Sequence, residues 1–357
     1  MPLSPKQQGR PKRPFIIPVF IPHAGCPHQC VFCNQQKITG VKSGTQNNES
    51  YKHQIEKFLT YIRPHHQKAQ IAFYGGNFLG LKKERINNLL QLAGKFIKPG
   101  AVSGIRFSTR PDTIDSERLR LIAKYPITAI ELGVQSMDDK VLAACRRGHT
   151  ASDTQQAASL IQKQKIPLGL QMMVGLPADT VAKALATARQ MAALKPDFVR
   201  IYPTLIIADS PLADWYAKGR YQPLTLDAAV ALVKNIYRIF DAGGIDVIRM
   251  GLQADEALDG GPTPVAGPYH PAFGQLVHQA LFLDRAVAKI KGLPPQTDRI
   301  VLKVHPRNIS PMRGHRNGNI GVLKQRFGLT VCEVLADPCL KSDEVQIAEL
   351  AAGGKNP

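Results

Sequence analysis

The sequence predicts an α/β protein: a partial (β/α)6-type TIM barrel followed by a small C-terminal α/β extension. Three observations predict it. Short β-branched runs alternate with amphipathic helical patterns as far as residue 253, the mark of βα units on a mostly parallel sheet. A chain of 357 residues, 44% of them hydrophobic, suffices for one large barrel domain and an appendage. After about residue 255 the texture changes to crowded Gly and Pro in LDGGPTPVAGPYHPAFG, and a second, shorter order of elements begins near residue 291.

In chain order, residues 1–14 read as a basic flexible leader with no apolar core behind it. The strand runs are FIIPVFIP (15–22), QIAFYGG (70–76), IRFSTRP (105–111), AIELGVQS (129–136), PLGLQMMVG (167–175) and DFVRIYPTL (197–205), with IDVIRMGLQ (245–253) as a candidate seventh. Between them, Ile55, Phe58, Leu59 and Ile62 recur three and four apart, as do Ile86, Leu89, Leu90, Ala93 and Phe96, and later Val181, Leu185, Ala188 and Met191. Thr180 stands where the last of these helices needs an N-cap. The barrel domain is expected over 15–290, closed by a helical stretch at 271–290. The extension, 291–357, reads strand (RIVLKVHP), short helix, GHRNG turn, helix (NIGVLKQRFG), strand (LTVCEVLA) and a loose tail, AAGGKNP.

The formal charge of +19 and pI near 9.8 suit a polyanionic partner such as nucleic acid. No run reaches the 18 or so apolar residues of a membrane span. Six cysteines, three clustered and three scattered (Cys145, Cys332, Cys339), do not make the framework of a small secreted domain. A reducing cytoplasm is the expectation, with the scattered thiols buried.

The cluster, AGCPHQCVFCNQQ, falls just after the first strand, where a barrel of this kind gathers its chemistry in the loops at the strands' C-terminal ends. Cys26, Cys30 and Cys33 offer three thiolates at spacings that wrap one iron-sulfur cube and leave one iron open. An open coordination position is where a substrate or cofactor binds. A zinc site completed by His23 or His28 is the alternative, but a zinc ribbon shows paired C-x2-C knuckles and no second knuckle exists.

The compact CxxxCxxC, with Phe32 before its third cysteine, resembles the signature of the radical S-adenosylmethionine superfamily. FSTRPD (107–112), IELGVQSMDD (130–139), RRGHT (146–150), MMVGLP (172–177) and RIYPTLIIADSPLADWYAKGRY (200–221) narrow the likeness. In this order they resemble the radical domain of the catalytic subunit of Elongator, a tRNA wobble-uridine enzyme, and its short bacterial relatives, over residues 15–282. The resemblance implies a 4Fe-4S cluster on the three cysteines and S-adenosylmethionine at the open iron, cleaved to a 5'-deoxyadenosyl radical. It also implies an electron donor such as a flavodoxin or ferredoxin, and RNA, above all tRNA, as the partner.

The same resemblance assigns residues. Gly75, Gly76 and Asn77 in FYGGNF would bind the methionine ammonium, with Asn77 standing where many members carry Glu, so that amide or backbone oxygens would accept its hydrogens. Gln135 and Ser136 would meet the cofactor's ribose or carboxylate, and Gly175 would pass close to the adenine. At least one of Met172 and Met173 belongs to the core, because neighbours on a strand face opposite ways. Arg110 would reach a carboxylate or phosphate; Arg146, Arg147 and His149 would contact phosphate. Tyr202 is a substrate-facing or proton-donating candidate, with packing in the barrel wall an equal reading. Arg200 stands where the family often has Lys.

Two departures matter. The sequence has no length for an acetyltransferase domain, and its first cysteine gap is shorter than Elongator's, so the carboxymethyl reaction is not assigned on resemblance. In the extension, the element order resembles a KH fold, although the GHRNG turn is one residue longer than GXXG. Lys303, Arg307, Arg313, Arg316, Lys324 and Arg326 make it basic, with Arg313 and Arg316 the candidate RNA contacts; a small cap on the barrel is the alternative. The functional expectation is a radical enzyme modifying RNA. A radical enzyme acting on a small molecule or peptide, and a non-catalytic zinc-bearing RNA-binding protein, are the alternatives.

Overall fold

Seven parallel strands, hydrogen-bonded in sequence order, form the main sheet of the computed structural model, an open half-barrel. The structure describes residues 14–21, 23–35, 37, 47–62, 68–97, 102–252 and 265–349; nearly all of the leader, part of the Gly/Pro-rich stretch and the tail lie outside the described residues. The elements are β1 (Ile16–Phe20), α1 (Asn48–Leu59), β2 (Ala69–Tyr74), α2 (Lys83–Ile97), β3 (Val102–Thr109), α3 (Ser116–Ile122) and β4 (Ile127–Gln135). Then follow α4 (Asp139–Ala144), α5 (Ala151–Lys163), β5 (Leu168–Val174), α6 (Val181–Ala193), β6 (Phe198–Pro203), α7 (Pro211–Ala217), α8 (Leu226–Ala242), β7 (Asp246–Met250) and α9 (Phe273–Ile290). All six expected strands form, and the candidate seventh joins as the edge beside β6.

Alternation along each strand divides the sheet into two faces. Ile17, Val19, Ile71, Phe73, Ile105, Phe107, Ile130, Leu132, Leu170, Met172, Val199 and Ile201 are buried with helix residues such as Ile55, Leu89, Ile161, Ala188 and Ile236 in one core. The intervening positions, Gln70, Tyr74, Arg106, Glu131, Gln171, Arg200 and Tyr202, take the opposite face. A parallel sheet is usually apolar on both faces, so this polar row marks the inside of the half-barrel as something other than filler. Met172 and Met173 split as expected, the first in the core and the second packed beside the cysteine loop.

The chain reverses at the strand ends through capped helices. Thr180 Oγ1 accepts from the Lys183 N–H, as the sequence predicts, and Thr150 and Asp153 form a capping box on α5.

The remaining residues build a second sheet: β8 (Arg299–Val304), α10 (Ile309–Arg313), α11 (Gly318–Phe327), β9 (Val331–Ala336) and β10 (Val345–Glu349). Its order is β10-β8-β9, with β9 parallel and β10 antiparallel to β8. Strand β10 was not among the expected elements. Helix α9 serves both cores, giving Phe273, Val277 and Leu281 to the first and Phe282, Ala286 and Ile290 to the second.

Candidate cofactor site at the mouth of the half-barrel

The cysteine loop leaves β1 and is stitched to three neighbours. Gly25 has φ +74°, and a Cβ there would stand 2.2 Å from the Asn77 carbonyl oxygen, so only glycine lets the two backbones pass. Asn77 N–H donates to Ala24 O at 2.9 Å, and Asn77 Nδ2 to Gly25 O at 2.8 Å. Farther on, Val31 N–H donates to Cys145 O at 3.1 Å and Val31 O accepts from Leu212 N–H at 2.8 Å. The loops after β2, β4 and β6 thereby fix the segment that carries Cys26, Cys30 and Cys33.

Two of the three thiols, Cys26 and Cys33, are held above their ordinary range. Burial pushes Cys33 up to about 12, and the proximity of Cys30 and Cys26 adds to the rise. Burial also raises Cys26, opposed by the charge of Arg147. A bound metal cluster would supply the positive charge that favours the thiolates of Cys26 and Cys33. Among the described residues no three Cys, His, Asp or Glu side chains converge closely enough to hold a single ion. His23 is engaged within the loop, its Nε2 accepting from the Gln35 N–H at 2.9 Å. The His23 bond runs against its completing a zinc site. Three thiolates round a cube suit an iron-sulfur cluster.

Behind the loop stands a buried cationic wall. Arg147 Nη1 lies 3.4 Å from Cys30 Sγ, and its Nη2 donates to Gly133 O at 2.6 Å. Arg110 is clamped on Asp112 at 2.9 and 3.0 Å and donates to the Arg147 carbonyl. Arg110 Nη1 and Arg147 Nε are buried with no hydrogen-bond partner, which for a native site points to an anion or acceptor that completes it. This arrangement fits an anionic cluster with its thiolate ligands.

Arg147 and His149, expected from the sequence to contact phosphate, are 7% and 4% exposed and lie behind the cysteine loop, away from the solvent-facing surface. Arg110, expected to reach a carboxylate or phosphate, is 2% exposed and holds the Asp112 carboxylate. Burial first, then the charges of Arg147 and Arg110, pull His149 down to about 3, leaving a neutral imidazole. Of RRGHT, only Arg146 and the turn around Gly148 and Thr150 are exposed; Arg146 lies over Trp215 at 6.0 Å, with Arg220 over the same indole at 5.4 Å.

In the FYGGNF element the two alternatives, amide or backbone oxygens, separate. Asn77 is wholly buried, and its Oδ1 accepts from Thr109 Oγ1 at 2.7 Å, Thr113 Oγ1 at 2.9 Å and Arg110 N–H at 3.0 Å. Its amide is therefore spent within the protein and is not an acceptor for an ammonium group. A glutamate here would lack the Nδ2 donor that holds Gly25 O. Ser136 is likewise internal, accepting from the Asp138 N–H at 3.1 Å and lying 3.3 Å from Thr187 Oγ1. Gln135, with φ +68°, accepts from Gln171 Nε2 at 2.7 Å on the inner face. Gly175, with φ +74°, is held by Asp179 Oδ2 at 3.2 Å and by the Tyr221 hydroxyl.

Below the mouth lies a network that the sequence reading missed. Glu131 accepts from Tyr74 OH at 2.8 Å and Arg106 Nε at 2.9 Å, and its Oε2 pairs with Arg200 Nε at 2.7 Å. Arg200 also donates to Tyr74 OH at 2.9 Å and Tyr202 OH at 3.3 Å. Burial works against the Arg200 charge, but Glu131, Tyr202 and Tyr74 together outweigh it and the group is held firmly cationic. Burial, then Glu131, raises the Tyr74 phenol. Arg200 is thus an ion-paired cation that orients two hydroxyls. The available signal was Arg106, Glu131 and Arg200 recurring at inward positions of otherwise apolar strands.

In the extension, Arg307, Ser310, Arg313, Arg316 and Asn317 line a groove of about 470 Å³. Arg316 and Asn317 are successive left-handed residues, φ +49° and +61°, so the turn differs in shape as well as length from GXXG.

A half-barrel with three cysteines on its first loop and a cationic wall behind them defines an enzyme of the radical S-adenosylmethionine type. The profile of the Radical SAM superfamily matches residues 20–191 and that of the Radical_SAM C-terminal domain residues 196–282. The chain belongs to this superfamily, whose members work with a 4Fe-4S cluster and S-adenosylmethionine. It is 29% identical over 228 residues to an uncharacterized protein of Methanocaldococcus jannaschii, covering 61% of this chain and 70% of that one. It is 25% identical over 243 residues to a tRNA uridine(34) acetyltransferase of Dehalococcoides mccartyi, covering 59% and 53%. The archaeal Methanocaldococcus infernus Elp3, solved with an N-terminal deletion, superposes with a TM-score of 0.60 at 18% identity, covering 82% and 70%. The chain spans about half the length of the tRNA uridine(34) acetyltransferases and Elongator proteins it matches.

Proposed function

We propose that this enzyme holds a 4Fe-4S cluster on Cys26, Cys30 and Cys33, cleaves S-adenosylmethionine there, and modifies a base of RNA, with a tRNA uridine the first candidate. The observation that carries the cofactor reading is the set of three cysteines within eight positions on a loop backed by a buried guanidinium wall, Arg147 at 3.4 Å from Cys30 Sγ, with unpartnered N–H groups. When bound, the cluster supplies the electron for reductive cleavage of the sulfonium. The backbone of Gly75 and Gly76, rather than the Asn77 side chain, would receive the methionine end, and Gln135 and Gly175 the nucleoside end. Glu131 and Arg200 would fix Tyr202 as a hydroxyl donor toward the substrate. The donor would be a flavodoxin or ferredoxin, in the reducing cytoplasm that suits six free thiols.

The net charge and the arginine groove of the extension, a KH-like or capping element, support RNA over a neutral partner. Among the described residues no helix is long and apolar enough to cross a membrane. The deciding experiment is nucleoside mass spectrometry of tRNA from cells lacking the gene. Loss of one modified nucleoside supports the RNA reading, and an unchanged profile moves the radical chemistry to a small molecule or peptide.

A further inference from the structure

We propose that Arg147 is a positioning residue that sets the reduction potential of the cluster by donating a charged hydrogen bond to the Cys30 thiolate. The proposal rests on the cofactor reading above.

Several observations converge on this one side chain. Its Nη1 is 3.4 Å from Cys30 Sγ, a contact between residues 117 positions apart. It cannot swing away, because Nη2 is tied to Gly133 O at 2.6 Å and its carbonyl accepts from Arg110. Gly133 is part of the cradle: a Cβ there would stand 2.8 Å from Arg147 Nη2. The side chain is 7% exposed, and among the described residues no carboxylate lies within ion-pair distance of it, whereas Arg110 has Asp112. A buried cation without a counterion is costly, and its unpartnered Nε adds to the cost. An iron-sulfur cluster with thiolate ligands is the anion that would relieve both.

The electrostatic consequence has a sign. One-electron reduction, with the electron coming from a low-potential donor, adds a negative charge to the cluster. A fixed cation beside a ligating sulfur favours that reduced state and raises the potential. Arg146, its sequence neighbour with the same formal charge, is exposed over Trp215 and serves as a built-in control.

The test is an EPR-monitored redox titration with dithionite on anaerobically reconstituted protein. In Arg147→Gln, with iron and sulfide contents unchanged, the reduction equilibrium is expected to weaken about tenfold, a shift of about 59 mV to lower potential for one electron. Arg147→Lys, which keeps the charge without the fork, is expected to fall between, and Arg146→Gln to match wild type. An Arg147→Gln potential equal to wild type, or an equal shift in Arg146→Gln, overturns the proposal. So does failure of both Arg147 variants to take up a cluster while their circular dichroism stays native, because Arg147 would then serve assembly.

Should the variants not fold, wild-type protein labelled with [15N]arginine decides. Pulsed EPR of the reduced cluster is expected to show a coupling to one arginine nitrogen, and its absence overturns the proposal. A wild-type chain that takes up no iron sinks the cofactor reading itself, a result distinct from any difference between variants.

Discussion

Glu131 is a carboxylate paired with two buried guanidiniums, Arg106 and Arg200. Removing one partner of such a group leaves uncompensated charge in a poorly solvated place. Glu131→Gln is therefore expected to lower stability by about 3–5 kcal/mol, read from urea denaturation, whereas a loss under about 1 kcal/mol would mean that the pair is solvated. His149 gives a prediction of opposite chemistry. Its folded value is held near 3 against 6.5 unfolded, so between those limits the unfolded chain binds a proton that the folded chain refuses. That contribution is fully present above pH 6.5 and is lost as pH falls toward 3. The melting temperature of the cluster-free protein should fall more steeply from pH 7 to 5 than that of His149→Phe; parallel profiles would contradict the assignment.

At the scale of elements, the loop after β1 depends on a backbone approach that admits no side chain. Gly25→Ala would drive a Cβ into Asn77 O and the Gly80 backbone at 2.2 and 2.8 Å. The expected outcome is a folded protein with sharply reduced iron content after reconstitution, measured by metal and sulfide analysis; wild-type content would show that the loop relaxes freely. Strands, helices and the cysteine loop were legible in the sequence because periodicity and spacing are local. What escaped was non-local. Nothing near Arg147 says that its side chain returns to Cys30, and nothing near Asn77 says that Thr109, Thr113 and the Arg110 N–H consume its amide oxygen. Strand β10 escaped because forty positions separate it from β8, the strand it pairs with.

At the scale of the whole molecule, the sheet presents two unlike faces, one sealed by helices and one carrying the Glu131 network toward the mouth. The cysteine loop and the cationic wall close that mouth from opposite sides of the sequence, Cys26–Cys33 and Arg110–His149. A fold of this kind supports many reactions, so function is argued from the site. Helix α9 joins the two cores, which couples the basic extension mechanically to the barrel. The reaction class rests on the cysteine loop, and the proposal of an RNA substrate on charge and on the groove of the extension.

The proposed chemistry stands on a cluster held by three protein thiolates with one iron left for the cofactor. Mössbauer spectroscopy of 57Fe-reconstituted protein, with and without S-adenosylmethionine, tests it most directly. The predicted result is that a single iron site changes its isomer shift when the cofactor is added while the other three keep theirs. A spectrum indifferent to the cofactor, with every iron in the same sulfur environment, would contradict it.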